Sequence, residues 1–341
     1  MKKNRVHFSF YGVGVCVESD EDEMLKAITH DFSYFVAATD QCAVQLAYYH
    51  CDPDYNNLPV VTASAATPRN ITFNGKETAY IDYFGKGLNI YNKKENSCKI
   101  YTKDKDLAHE ILYLSILSRV SEELEKKRIH RIHALGIEYK GQGVLVMLPS
   151  GGGKTTLAMS ILGSSDTDIH LLSEDSPLLT HQGMLLPFPL RIGTIPSETT
   201  SNIDDRFIRT VKRMEHGPKI TIDINYFSDR ISHTETPAGF VLLGIRSTGE
   251  VPSITRASKF KMIKHCLMNS VVGVGLYQGM EFIMQKNFFE LLGGIPIILS
   301  RMYNNFRLIA RSKFYTFIIG RNVKRNYEVL YQFLKNNQNN L

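Results

Sequence analysis

Nowhere does this chain of 341 residues hold the ~20 consecutive apolar residues that a membrane helix requires, so the sequence predicts no spanning segment and no membrane partner. Cysteine is scarce. Cys16, Cys42, Cys51, Cys98 and Cys266 are odd in number and show no CxxC spacing. That pattern argues against a disulfide framework and against a zinc site, and it fits a reducing cytoplasm. Strong charge of one sign is missing too. The formal net charge of +6 comes from basic residues interspersed with acidic ones, which implies only a weak preference for anionic partners. Zinc-finger spacing and RNA-recognition signatures are absent, and the 17 Tyr and 18 Phe fall mostly at core-type positions, so nucleic acid is not an expected partner. A secretion signal is not expected either. His7, Ser9 and Tyr11 interrupt the apolar character of the N-terminal stretch, no small-residue cleavage site follows, and Glu18 to Glu23 is acidic.

What the chain does have is a hydrophobic content of 43%, enough for two domains or for one domain with large additions. Residues 1–105 read as an N-terminal α+β module. Val13, Val15 and Val17 alternate as in a strand, while Met24, Leu25, Ile28, Phe32 and Phe35 recur at helical spacing. Asn74-Gly75 reads as a hairpin turn, with strands expected at Ala79–Phe84, Leu88–Tyr91 and Lys99–Thr102. Residues 106–128 read as a connecting helix capped by Asp106, with Leu107, Ile111, Leu114, Leu117, Val120 and Leu124 on one face. From residue 129 to 335 strands alternate with helices, beginning with a strand over Arg131–Tyr139. Pro196 to Pro218 reads as a surface loop or short helix. Further on, a strand at Phe240–Ile245, helices near Phe260–Asn269 and Phe282–Leu292, a strand at Tyr315–Ile319 and a helix from Asn322 to about Leu334 are expected. Residues 336–341 read as a frayed tail.

The sharpest chemical signal lies at residues 144–163. An apolar run, Val144 to Leu148, feeds Ser150-Gly151-Gly152-Gly153-Lys154-Thr155-Thr156, and an amphipathic helix pattern follows. Glycines let backbone N–H groups close around phosphate oxygens, and the new helix points its positive end at the same anion. In such a loop Lys154 reaches the β/γ-phosphates and Thr155 ligates Mg²⁺. A plain strand-to-helix turn would need neither the lysine nor the two hydroxyls after it. The usual pattern begins with Gly where Leu148 stands, so the loop is a variant form. Some twenty residues later, His170-Leu171-Leu172-Ser173 ends in Glu174-Asp175, a pair able to serve a metal and to take a proton from an acceptor hydroxyl. His133 precedes the loop, on the opposite side of its expected strand from Ile132 and Ala134.

This order of parts, His133, the glycine loop and Glu174-Asp175, resembles the HPr kinase/phosphorylase lineage, whose loops, like those of ATP-dependent phosphoenolpyruvate carboxykinases, have the form SGxGK[ST]. Thr156 matches a second threonine common in the carboxykinases. The resemblance covers residues 128–195 and implies an α/β fold, a P-loop kinase core of the HPr kinase/phosphoenolpyruvate carboxykinase type carrying the N-terminal α+β module. It implies ATP and Mg²⁺ as cofactors. It assigns Ser150, Gly151, Gly152, Gly153, Lys154, Thr155 and Thr156 to the nucleotide, and Thr155, Glu174 and Asp175 to the metal. His133, Lys154, Glu174 and Asp175 become the catalytic set, one acid acting as base and the other assisting the metal. Arg191, in Pro187-Phe188-Pro189-Leu190-Arg191, joins them by facing the phosphates.

Glu174 stands where the family has Asp, and the Pro-Gly-Arg-Asn signature of HPr kinases proper is missing, with Gly320-Arg321-Asn322 too near the C-terminus to replace it. The resemblance therefore points to relatives that phosphorylate a serine in a ribosomally made peptide, including lasso-peptide precursors. The expectation is a cytoplasmic kinase acting on a hydroxyl of a peptide or small protein, able to form a homo-oligomer. The alternatives are a small-molecule kinase or carboxykinase-like phosphotransferase, and a non-catalytic ATP-binding scaffold for peptide recognition.

Overall fold

Val13, Val15 and Val17 turn one face of a strand inward, and each is buried in the computed structural model, which describes residues 4–38, 41–149, 151–194, 202–214, 217–272 and 295–337. That strand, β2 (Val13–Ser19), follows β1 (Asn4–Phe10) and is joined by β3 (Val44–Tyr49), β4 (Ala63–Ala66), β5 (Ile71–Asn74), β6 (Thr78–Asp82), β7 (Leu88–Asn92) and β8 (Ser97–Tyr101). They form an eight-stranded sheet in the order β1-β2-β3-β8-β7-β6-β5-β4. The Asn74-Gly75 turn joins antiparallel β5 and β6, as expected.

Helices α1 (Asp22–Asp31) and α2 (Lys105–Lys126) bury Ile28, Ala108, Ile111, Leu112, Ile116 and Val120 in one core with Val13, Val15, Leu46 and Ile100. The helical run expected to reach Phe35 stops at Asp31 and continues as a separate 3-10 turn at Ser33–Phe35. The cap of α2 is Asp104, not Asp106: its carboxylate accepts from the Leu107 N–H at 3.0 Å. Nor is α2 a bare connector, because its apolar face belongs to the first core. That core also takes Leu178, Leu186 and Phe188 from the second half of the chain.

The second half begins with β9 (His130–Arg131), β10 (Leu135–Tyr139) and β11 (Gln142–Met147), then α3 (Lys154–Leu162) and β12 (Ile169–Ser173). Next come the short strands β13 (Leu178–Leu179) and β14 (Met184–Leu186), followed by a three-stranded sheet of β15 (Ile192–Thr194), β16 (Ile208–Val211) and β17 (Lys219–Ile222). The last elements are β18 (Thr236–Arg246), β19 (Ser253–Arg256), α4 (Lys259–Cys266) running into a π-helical turn over Leu267–Val272, α5 (Ile295–Arg311), β20 (Lys313–Ile319) and α6 (Val323–Asn336). Nine strands make a mixed sheet in which β11, β18 and β20 run parallel.

Alternation along β11 divides the layers. Val144, Val146 and Leu148 pack with Leu157 and Ile161 of α3 and Leu330 and Leu334 of α6, while Leu145 and Met147 pack with Met262, Cys266, Leu308 and Ile309 of α4 and α5. Helices therefore cover both faces, which is why this strand reads as an unbroken apolar run.

Three expectations change here. The strand drawn over Arg131–Tyr139 is two strands with a break at residues 132–134. β9 pairs with β13 and β10 with β11 and β12. The stretch expected to be a surface loop or short helix, Pro196 to Pro218, has a 3-10 turn at Asp205–Phe207 and, beyond the expectation, β16, which ladders onto β17. Helix α6 runs through Asn336, past the boundary expected for the tail. The helix expected at Phe282–Leu292 lies outside the described residues. Among the described residues no helix is long and apolar enough to cross a membrane. The fold is mixed α/β with several sheets.

Candidate functional site

β11 ends inside the sheet, so whatever follows it emerges at the carboxyl edge of a parallel strand pair. Leu148 comes next. Its side chain occupies the space a Cβ on Gly244 of β18 would need, 2.2 Å from that position, so it is fixed by packing onto the neighbouring strand. A glycine at residue 148 would leave that gap open. The chain then turns: the Gly152 N–H donates to the Pro149 carbonyl at 2.9 Å, and Gly151 and Gly153 take φ of 71° and 99°. These left-handed conformations favour glycine strongly. Ser150 lies outside the described residues. Arg246, at the end of β18, donates to the Gly151 carbonyl at 3.1 Å and steadies the turn from the side.

Gly153 is the N-cap of α3 and offers no side chain to the first helical turn. Among the described residues no side chain caps that turn, and its N–H groups with the positive end of the helix dipole are of the kind that favours an anion. Thr156 is exposed on this turn. Lys154 turns inward and is buried. Its Nζ donates to the Leu148 carbonyl at 3.0 Å, lies 2.7 Å from His133 Nε2, and lies 3.4 Å from Asp175 Oδ1. His133 Nε2 is 3.3 Å from the same carboxylate oxygen.

His133 owes this position to the break between β9 and β10, not to strand alternation. Its backbone N–H donates to the Asn269 carbonyl at 3.0 Å, and on either side Ile132 donates to Pro177 and Ala134 to Asp175. The segment carrying Glu174-Asp175 is thus stitched to the segment carrying His133. Beyond it, the Ser176 hydroxyl receives a hydrogen bond from Arg131 at 2.9 Å.

The two acids face different neighbours. The Thr155 hydroxyl donates to Glu174 Oε1, while Asp175 faces Lys154 and His133. Burial and the adjacent Asp175 carboxylate push the Glu174 carboxyl up, with Thr155, Lys219 and Lys154 opposing them. For Asp175 burial also acts upward, but the hydrogen bond from His133 and the Lys154 ammonium outweigh it and hold the carboxyl below its ordinary value. Asp175 keeps 43% of its side chain exposed, so solvent reaches it. Lys219, on β17, is a neighbour that the sequence does not announce. Its stem lies over Gly193, and burial pulls its ammonium below the ordinary lysine value against the opposing pull of Glu174.

Arg191 goes elsewhere. Its Nη1 sits 2.6 Å from Asp31 Oδ2, and its guanidinium lies over the Tyr113 ring with 4.0 Å to the centroid. His109 completes the group at 2.8 Å from the same Asp31 oxygen. The expectation that Arg191 faces the phosphates is therefore corrected: it anchors the approach to β15 on α1 and α2. His133, Lys154, Thr155, Glu174, Asp175 and the glycine turn are brought together. Arg131, Lys219, Arg246 and Asn269 are the members that sequence reasoning missed. Arg246 had a weak signal, as the residue that follows the strand expected at Phe240–Ile245, whereas Asn269 contributes a backbone carbonyl.

Chemically the site joins an uncapped helix N-terminus to an all-oxygen pair, Thr155 and Glu174, of the kind that suits a hard divalent cation such as Mg²⁺. Beside them lies a solvent-reachable carboxylate. No known family model matches the chain, and no curated protein matches its sequence.

Proposed function

We propose that the chain is an ATP- and Mg²⁺-dependent phosphotransferase with a P-loop kinase core of the HPr-kinase type, acting on a hydroxyl of a peptide or small protein. The observation that supports this most is the convergence of Lys154, His133 and Asp175 at the glycine turn, with Thr155 and Glu174 paired next to them.

In this reading the amides of residues 151–156 and the Lys154 ammonium hold the phosphate chain. Lys154 exchanges its contacts with His133 and Asp175 for phosphate oxygens when the nucleotide enters. Thr155 and Glu174 would hold Mg²⁺, which would supply positive charge to offset that of the phosphate chain. Asp175, released from Lys154 and still oriented by His133, accepts the proton of the acceptor hydroxyl. The hydroxyl oxygen bonds to the γ-phosphorus as the bond to the ADP oxygen breaks, so the products are a phosphate ester and ADP. Positioning and fixed charge carry most of the acceleration. A cytoplasmic setting and a serine acceptor go with this reading, as does self-association.

The test is incubation with γ-labelled ATP, Mg²⁺ and a panel of serine-containing peptides. Label on a peptide is the expected result. Label confined to a small-molecule acceptor would move the assignment to a small-molecule kinase, and nucleotide binding without transfer would make the chain a scaffold.

A further inference from the structure

His7 and Cys16 are directly opposite one another in the β1–β2 antiparallel pair, so both side chains leave the sheet on the same face. It is not the core face, since Val15 and Val17 point the other way into the first core. Cys16 is nonetheless only 6% exposed. The cover comes from the segment entering β3. At Gly14, which shares the face of Cys16, a Cβ would fall 1.9 Å from the Gln41 carbonyl oxygen, and the Cys42 Cα is 3.6 Å from the same point. Glycine at residue 14 is what lets that backbone cross the strand. The crossing delivers Cys42 Sγ to 3.6 Å from His7 Nδ1, and the ligand atoms of His7, Cys16 and Cys42 all lie within 4.8 Å of one another.

We propose that His7, Cys16 and Cys42 form a zinc site that pins the start of β3 to the β1–β2 hairpin. Zinc bonds of ~2.0–2.1 Å to nitrogen and ~2.3 Å to sulfur place tetrahedral N and S ligands about 3.5 Å apart, close to the observed His7–Cys42 separation. An imidazole with two thiolates is also the donor chemistry that zinc selects over Mg²⁺ or Ca²⁺. Both cysteine sulfurs lose their protons on binding, and the fourth tetrahedral position is left for water or a small ligand. Arg5 and Glu18, paired at 2.6 Å on the neighbouring opposed positions, border the site without occupying it. The absence of CxxC spacing does not speak against this arrangement, because its ligands come from two paired strands and the segment leading into a third.

The full chain, purified without a histidine tag under reducing conditions and dialysed after addition of zinc, is expected to retain on the order of 1 zinc per chain by elemental analysis. His7→Gln and Cys42→Ser should each weaken binding by more than the roughly 10–100-fold that loss of a supporting contact costs. Lys154→Ala should leave zinc content unchanged, which separates this site from the glycine turn. Cobalt added to the zinc-free, unsubstituted chain should give thiolate-to-metal charge-transfer absorption, a reading that stands even where a variant misfolds. Zinc retention unaltered in both variants, no charge-transfer band with cobalt, or a Cys16–Cys42 disulfide in the chain as isolated would each overturn the proposal.

Discussion

Two trios of the same composition, a cation, a histidine and an aspartate, sit in different settings in this molecule. Arg191, His109 and Asp31 meet where the second half of the chain rests on α1 and α2, and Asp31 is fully buried. Lys154, His133 and Asp175 meet at the glycine turn, and Asp175 remains 43% exposed. In the closed trio every charge is spent on the others. Burial works to raise the Asp31 carboxyl, yet Arg191, His109 and His30 hold it far below the usual carboxylate range. In the open trio the carboxylate is open to solvent and the lysine begins a helix whose N-terminus no described side chain caps. Similar sets of charged groups are thus closed off in one place and open to solvent in the other, and the two differ in the exposure of the aspartate and in carrying a guanidinium or an ammonium.

Substitutions can break that contrast. Lys154→Ala should bring phosphate transfer to background while urea unfolding shows a folded protein; unchanged turnover sinks the kinase assignment. Asp175→Asn should lower kcat by about 10²–10⁴-fold, the range for a lost general base, with a much smaller change in nucleotide affinity. In the closed trio the effect should shift from rate to stability. Asp31→Asn leaves Arg191 buried without its counter-charge and should cost about 3–5 kcal/mol of unfolding free energy by denaturant titration. A loss of transfer at full stability would contradict the structural role.

The acid limb sharpens the same point. Because Asp31 is held below its unfolded value of about 3.9, its contribution is present above that pH and is lost as pH falls through the lower folded value. Below pH ~4 the parent chain should therefore lose stability more steeply than Asp31→Asn, by up to about 1.4 kcal/mol per pH unit for one proton. An equal slope in both proteins would place the charged Asp31 outside the stability balance. The smallest effect belongs to Arg246→Ala, which removes one hydrogen bond to the glycine turn. It should weaken nucleotide binding about two- to tenfold, measured calorimetrically, with transfer retained.

Local features were readable in the sequence. The glycine turn, the period-2 valines of β2 and the helical stripe of α2 each depend on residues within one or two turns of each other; the first two form as expected, and the stripe does so at Leu107, Ile111, Leu117, Val120 and Leu124 but not at Leu114, which lies outside the core. Long-range pairing was not readable. Nothing near Arg131–Tyr139 reveals that two different partner strands divide it, and β16 has no alternation strong enough to stand apart from its polar surroundings. Arg191 shows the cost for the candidate site. Its spacing from the paired acids suited a phosphate contact, but its partner is Asp31, 160 positions away by residue number. Glu174 and Asp175 could not be told apart by type. Their separate neighbours, Thr155 on one side and His133 with Lys154 on the other, come only from the folded chain.

Phe188 lies fully buried within the first core, 6.0 Å from the Phe10 ring, and Tyr11 donates to the Pro187 carbonyl across 176 positions of chain. A ribosome making this protein therefore releases the entire first sheet long before the ring that closes its core exists. Until then the nascent chain carries an uncovered aromatic face at Phe10 and Phe35, the kind of surface that chaperones hold and that aggregates when synthesis stalls. Completion of the first core, in this sense, waits on translation of Leu178, Leu186 and Phe188.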